Sequence, residues 1–334
     1  MKKQLILFLL VLAVSFAGCE QILIENNDSI DPQENFDYLW KEVCDHYAFF
    51  DYKHVNWDSI YSVYNPMVTP TTSEIELFDI CGAMLNELED GHVNLTSPFN
   101  VSRYDFESVS QENFDWRLIT DNYLGDDYYI TGALYNDGLD SGRIGYIRYA
   151  SFQYDIEHND LDFVLSRMVN TEGLIIDLRS NGGGSLSNCE KLIKRLVNHT
   201  EPVIYSETKN GSGVNDFASP VTVSYSAYSG IRYTKPIALL VNRGSFSATS
   251  FFTTLARQLE HVIVIGDTTG GGMGIPTGGE LPNGWDYRFS GTRTLTAAGE
   301  NFENGVPPDI YVTQTNIDRI QGKDSIIERA LQEL

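Results

Sequence analysis

The sequence predicts an α/β fold, with a small helical unit ahead of a larger core in which strands and helices alternate. Two patterns carry this reading. Between Gly173 and Ile265, apolar runs of strand length alternate with helix-like stretches, the signature of βα units around a buried, largely parallel sheet. Before residue 90, apolar residues recur at three- and four-residue steps, which fits packed helices.

The elements follow in order. Lys2 and Lys3 precede an apolar run, Leu5 to Phe16, and then Ala17-Gly18-Cys19. A basic start, a short apolar stretch and small residues before a cleavage point make residues 1–18 a secretory signal peptide. The run is too short to cross about 30 Å of hydrocarbon. Small residues directly before a cysteine resemble the bacterial lipoprotein signal, which implies lipidation of Cys19, although Phe16 stands where Leu is more usual. An ordinary signal peptide with an incidental cysteine is the simpler alternative. Residues 19–33, rich in Asn, Asp and Glu, read as a lipidated tether.

Residues 34–90 read as a three-helix unit. Phe36, Leu39, Trp40, Val43, Tyr47 and Phe50 mark the first helix, Asn56-Trp57-Asp58 opens the second, and Thr72-Ser73 caps the third. Residues 91–334 form the core with interrupting β segments. Its early part reads as strands at 93–95, 116–119, 128–130 and 144–147. Helix-like 160–169, strand 173–178, helix-like 186–197, strand 236–241, helix-like 247–259 and strand 262–265 follow, with short strands and a last helix at 326–334.

The formal charge of the whole chain is −23, and without residues 1–18, which hold two lysines and no acid, it is −25 (21 basic against 46 acidic residues). Such acidity argues against a nucleic-acid partner, which needs a basic footprint. Cys44, Cys81 and Cys189 form no CxxC pair and so suggest neither a disulfide framework nor a zinc site. No metal or cofactor is expected.

The segment 236–252, PIALLVNRGSFSATSFF, is a buried strand, a Gly/Ser turn and a helix. Of its three serines, Ser245 sits in the turn and Ser250 inside the helix. Ser247 lies where the helix begins, so its hydroxyl and the amide of Ala248 can face one ligand. Serines at helix starts are most often plain N-caps. The strand 175–178 runs into Asn181-Gly182-Gly183-Gly184, whose backbone amides can approach an anion closely. The phosphate-loop pattern GxxxxGK[ST] is absent there and at Gly270-Gly271-Gly272. Asp177 and Arg179 read as structural, pinning the loop. An activated serine needs a base. Among six histidines, His92 follows Asp90-Gly91 at a helix-to-strand junction, a place that projects a side chain into a cleft.

Six motifs occur in sequence: DGH (90–92), GYIRYASF (145–152), IIDLRSNGGG (175–184), VNRGSFSAT (241–249), IGDTTGGG (265–272) and GVPPDI (305–310). Together they resemble the C-terminal processing (tail-specific) serine peptidase family, which implies a crotonase/ClpP-like α/β spiral core. The resemblance puts the nucleophile on Ser247 and the oxyanion donors on the amides of Ala248 and Gly183. The better-known branch uses a lysine base, but that position here is Gly272, and no lysine occurs between Ser247 and Lys323. A serine–lysine dyad at this place is excluded. The chain instead resembles the tricorn-core branch, which uses serine, histidine and glutamate. That implies His92 as base and Glu303 as the third residue, with Glu300 as fallback; the carboxylate orients the imidazole or acts through a second hydroxyl. Only about 50 residues separate Leu95 from Gly145, too few for the PDZ module of many relatives, which needs about 80–90. Arg288 and Arg293 follow Gly-rich loops and are candidates for a substrate carboxylate, surface arginine being the plainer reading.

The expectation is a lipid-anchored serine endopeptidase of the bacterial cell envelope. It would cleave peptides or protein C-terminal tails through an acyl-enzyme, with a membrane contact through the lipid on Cys19. A non-catalytic peptide- or small-ligand-binding lipoprotein on the same fold is the alternative.

Overall fold

Local capping sets the first three helices. The computed structural model describes residues 30–104 and 113–334; the expected signal peptide (1–18), Cys19 and most of the tether lie outside the described residues. Helix α1 (Pro32–His46) begins inside the expected tether, because Asp31 caps it by accepting from the Gln33 amide. Asn56 caps α2 (Trp57–Tyr64) through the Ser59 amide. Ser73 and Glu76 form a reciprocal capping box on α3 (Glu74–Asn86).

These helices do not have a core of their own. Phe36, Leu39, Val43, Tyr47, Phe78 and Met84 share one buried cluster with Leu95, Trp285, Tyr287 and Phe289. The last four belong to or flank an antiparallel sheet ordered β11–β12–β1–β2, from β1 (Asn94–Thr96), β2 (Val101–Arg103), β11 (Pro276–Glu280) and β12 (Asp286–Ser290). The helical unit is therefore clamped to the chain's C-terminal third, and residue 90 divides the chain without dividing its packing.

One sequence expectation fails in the next stretch. Residues 116–119, read as a strand, form helix α4 (Trp116–Asn122), because Asp115 accepts from the amides of both Arg117 and Leu118. Aspartate at an N-cap satisfies helix donors that no β pattern reveals. A hairpin, β3 (Tyr129–Thr131) and β4 (Leu134–Leu139), then leads to β5 (Ile144–Tyr149).

The main sheet among the described residues has seven strands, ordered β14–β10–β9–β6–β5–β4–β3. Its strands β5, β6 (Gly173–Asp177), β9 (Ile237–Val241), β10 (Val262–Gly266) and β14 (Ile310–Tyr311) pair in parallel. Strands β5, β6 and β9 are buried along their whole length, as expected of a sheet covered on both faces. Helices α5 (His158–Arg167), α6 (Leu186–Ile193) and α7 (Ala248–Ala256) pack into the larger cluster on one face. Helix α9 (Ser325–Glu333) closes the other through Ile326, Ile327 and Ala330. A small sheet of β7 (Val203–Thr208), β8 (Val221–Ser224) and β13 (Thr292–Thr296) completes the β structure, and a short helix, α8 (Asn316–Ile320), precedes α9. The three cysteines beyond residue 29 are free thiols, Cys81 and Cys189 buried and Cys44 half-buried.

Candidate active site

The carboxyl ends of β6 and β9 meet at one point, the usual place for a site in a parallel sheet. After β6 the chain turns at Ser180 (φ +56°) into the glycines, and after β9 it turns at Ser245. Asn242 ties the turns together, its Oδ1 accepting from the amides of Ser180 (2.7 Å) and Gly244 (3.1 Å). The Phe246 amide donates to the Asn181 carbonyl at 3.0 Å. Beneath them lies a buried ionic network. Arg179 bonds Asp177 at 2.6 Å and Asp324 at 2.9 Å, and the Tyr146 hydroxyl donates to Asp177 at 3.0 Å. The Arg179 charge holds the Asp177 carboxyl below its usual range despite its burial, which pushes the other way. Asp177 and Arg179 thus do structural work, holding the glycine turn.

Ser247 sits at the N-terminus of α7 with φ +57° and ψ −119°, a costly backbone for a residue with a Cβ. Its amide donates to the Gly271 carbonyl at 2.8 Å, which helps hold the turn. Its hydroxyl makes no helix cap. Instead it lies 2.9 Å from His92 Nε2. The neighbouring serines are engaged elsewhere: Ser245 Oγ donates to the Leu178 carbonyl (2.8 Å), and Ser250 Oγ meets Thr269 Oγ1 (2.9 Å). Of the three hydroxyls, Ser247 alone joins an imidazole and lines a cleft of about 610 Å³.

His92 is 5% exposed. Its backbone amide donates to Asp90 Oδ1 at 2.8 Å, and its ring packs against Phe246 with centroids 4.8 Å apart. Burial lowers its pKa to about 4; the Asp90 charge opposes this, while Arg288 and Lys53 add to it. The imidazole is therefore neutral at pH 7 and can accept a proton at Nε2. Its Nδ1 faces Ser290 Oγ at 3.4 Å, in the arrangement that keeps Nε2 as acceptor when Nδ1 carries the hydrogen.

Position 272 shows why a lysine has no place here. Gly272 has φ +71°, and a Cβ there would lie 2.4 Å from the Phe246 ring and 3.1 Å from His92 Cε1. The histidine and its aromatic neighbour fill the space into which a side chain from residue 272 would project.

Glu303 differs from its expected place. It is buried, and its Oε2 accepts from the amides of Met273 (2.7 Å) and Gly274 (3.1 Å). Among the described hydrogen bonds none links it to His92 or to Ser290. Burial, reinforced by the Asp90 charge, raises its pKa well above the usual carboxyl range. The hydrogen-bond partner of the imidazole's far nitrogen among the described residues is a serine hydroxyl, Ser290, and the carboxylate bonded to the histidine's backbone is Asp90. Glu300 is exposed and bonded to Thr296 in a surface turn, which removes it as the fallback.

The Ala248 amide stands at the first turn of α7, beside Ser247. Gly183 lies where expected, since a Cβ on it would be 2.9 Å from both Ser247 Cβ and the Ala248 nitrogen. Its own N–H, however, already donates to Asn181 Oδ1 at 3.0 Å. Arg288 and Arg103 line the Ser247 cleft, whereas Arg293 is held by Glu207 and stacks on Phe217 at 3.8 Å. Sequence reasoning missed Ser290 and Arg103. Neither belongs to a motif, and only strand pairing brings them near residue 92.

The profile of peptidase family S41 matches residues 143–312, and that of the tricorn protease C1 domain matches residues 30–86. The carboxy-terminal processing protease CtpB of Bacillus subtilis is 27% identical over 176 residues, which are 51% of this chain and 34% of that protein. The chain thus spans about a third of the length of the curated relatives it matches. A crystal structure of a putative peptidase from Parabacteroides merdae superimposes with a TM-score of 0.86 at 39% identity, covering 91% of this chain and 97% of that one. The tricorn protease superimposes with a TM-score of 0.58 at 17% identity over 91% of this chain and 36% of its own, a likeness of fold.

Proposed function

The chain belongs to peptidase family S41, and from that premise we propose that it is a serine endopeptidase with Ser247 as nucleophile and His92 as base. The observation that carries the reading is the 2.9 Å contact between Ser247 Oγ and His92 Nε2, made by a strained helix-start serine that does not cap its helix. Neutral His92 takes the hydroxyl proton as Oγ attacks the peptide carbonyl. The developing oxyanion meets the Ala248 amide at the positive end of α7. For Gly183 to act as second donor, its N–H has to be shared with or released by Asn181. The imidazolium then protonates the leaving amine, and water, activated by the same histidine, releases the acyl group.

Ser290 holds the ring in the productive tautomer, and Asp90 anchors the histidine's backbone and supplies negative charge behind it. Glu303 shapes the turn at Met273 and Gly274, which faces the site, rather than bonding the imidazole. The substrate is a peptide or the C-terminal tail of a protein. The N-terminal signal further supports export and anchoring through a lipid on Cys19. Mass spectrometry of the N-terminal peptide from the expressing cell tests that part, an unmodified Cys19 refuting it.

The test of the activity is covalent labelling by a fluorophosphonate probe. Labelling of the wild type, its loss in Ser247→Ala and its weakening in His92→Ala support the peptidase. A folded wild type that neither reacts nor cleaves peptides would point to a binding lipoprotein instead.

A further inference from the structure

The wall of the Ser247 cleft carries two arginines that the mechanism above does not use. Strand β1 is the middle of three antiparallel neighbours, and Asn94 stands opposite Arg103 on one side and Arg288 on the other. Directly opposed residues share a face of the sheet, so both guanidinium groups rise from the same face. With strands about 4.8 Å apart, their backbones are about 10 Å apart and straddle Asn94.

That face is the open one. Leu95, Tyr287 and Phe289 point to the core cluster, whereas Arg103 and Arg288 are exposed. Both line the cleft that holds Ser247 and His92. Arg288 is close enough for its charge to disfavour protonation of His92.

In a chain with 46 acidic and 23 basic residues, two cations beside a nucleophile would be expected to attract internal carboxylates. Here the cross-strand neighbours are uncharged: Asn94 for both arginines, and Gly278 on the other side of Arg288. Among the described residues neither arginine makes an ion pair. By contrast Arg143, Arg179, Arg195, Arg257 and Arg293 all do. Among the described residues, then, the two guanidinium forks lining the Ser247 cleft keep donors that no carboxylate uses.

Resting on the peptidase reading, we propose that Arg103 and Arg288 form a subsite for a carboxylate of the substrate peptide close to the scissile bond. The carboxylate is either the substrate's own C-terminus or an acidic side chain. Guanidinium matches either one through two parallel N–H···O bonds. The subsite lies on the catalytic unit itself, so it selects the scissile bond by its distance from a negative charge.

The test uses binding to the full-length Ser247→Ala protein, so that substrate is not consumed, at pH 8, where His92 is neutral with or without Arg288. Three fluorescent octapeptides of one neutral sequence are compared by anisotropy: with a free C-terminus, with an amidated C-terminus, and amidated with one glutamate introduced. At least one carboxylate peptide should bind about tenfold more tightly than the neutral amide. The difference should shrink in 0.5 M salt, as for any exposed charge pair. Adding Arg103→Gln and Arg288→Gln should abolish the preference and leave the neutral peptide within about twofold.

Preference for the free C-terminus alone identifies a terminal-carboxylate subsite, and preference for the glutamate alone identifies a side-chain subsite. Equal binding of all three peptides, or a preference that survives the double substitution, overturns the proposal. Equal binding of the three peptides by the Ser247→Ala protein alongside active wild-type hydrolysis rejects the arginine subsite and spares the peptidase. Carboxylate-dependent binding with an unreactive wild type does the reverse.

Discussion

The depressed pKa of His92 makes a quantitative prediction about acid tolerance. A free imidazole titrates near 6.5, and the buried His92 titrates at about 4. That difference is worth about 3 kcal/mol between its protonation states. At pH 5 an ordinary histidine base would be only about 3% neutral, whereas His92 would be about 90% neutral, a difference of roughly thirtyfold in competent enzyme. The assay is kcat/KM for a fluorogenic peptide between pH 3.5 and 9 at constant ionic strength, over the range where the thermal melt shows a folded protein.

The acid limb should have its midpoint near 4. It should move further to acid in Asp90→Asn, which removes the charge favouring the imidazolium, and toward neutral in Arg288→Gln. Stability follows the same group. The unfolded chain takes up this proton near 6.5 and the folded one only near 4. The contribution is therefore complete above 6.5 and is lost as pH falls through 4. An acid limb centred at 6.5 or above, unmoved by either substitution, would refute the reasoning.

Three further outcomes are expected. Gly272→Ala places a methyl 2.4 Å from Phe246 at φ +71°; we expect kcat to fall at least tenfold and stability to fall by about 1–3 kcal/mol, read by peptide hydrolysis and urea unfolding. Arg179→Ala takes the shared guanidinium from buried Asp177 and Asp324, leaving Asp177 the longer Arg148 contact at 3.7 Å and the Tyr146 hydroxyl; a loss of about 3–5 kcal/mol should lower Tm by on the order of 10 °C in calorimetry. Glu303, with its raised pKa, contributes stability below 4.5 that is lost as pH rises through its folded value. Glu303→Gln should therefore melt higher than the wild type at pH 8 and show less decline with rising pH, and a lower melt at pH 8 would count against this.

The sequence made most of the fold readable wherever local chemistry was strong. Asn56 and Ser73 announced their helices, and the apolar runs ending at Asp177 and Val241 announced buried parallel strands. The same local reasoning failed at residues 116–119, where alternating apolar residues hid a helix that Asp115 caps. It also could not see that α1–α3 share their core with β12, some 200 residues later, since packing between distant segments leaves no periodic trace.

At the site the division is similar. Residue types and local spacing favoured Ser247 over Ser245 and Ser250 and offered His92 as a base, and the family resemblance set aside a lysine at position 272 and matched His92, because each of these is a statement about one short segment. Only the tertiary structure decided what surrounds them. Strand pairing sets Ser290 beside the imidazole, turns Arg103 and Arg288 toward the cleft, and leaves Glu303 bonded to two backbone amides instead of the histidine. Those relations depend on the register of β1 against β2 and β12 and on the burial that register creates. A hydrogen bond or a shifted pKa is a property of the space between segments, and a sequence lists only the segments.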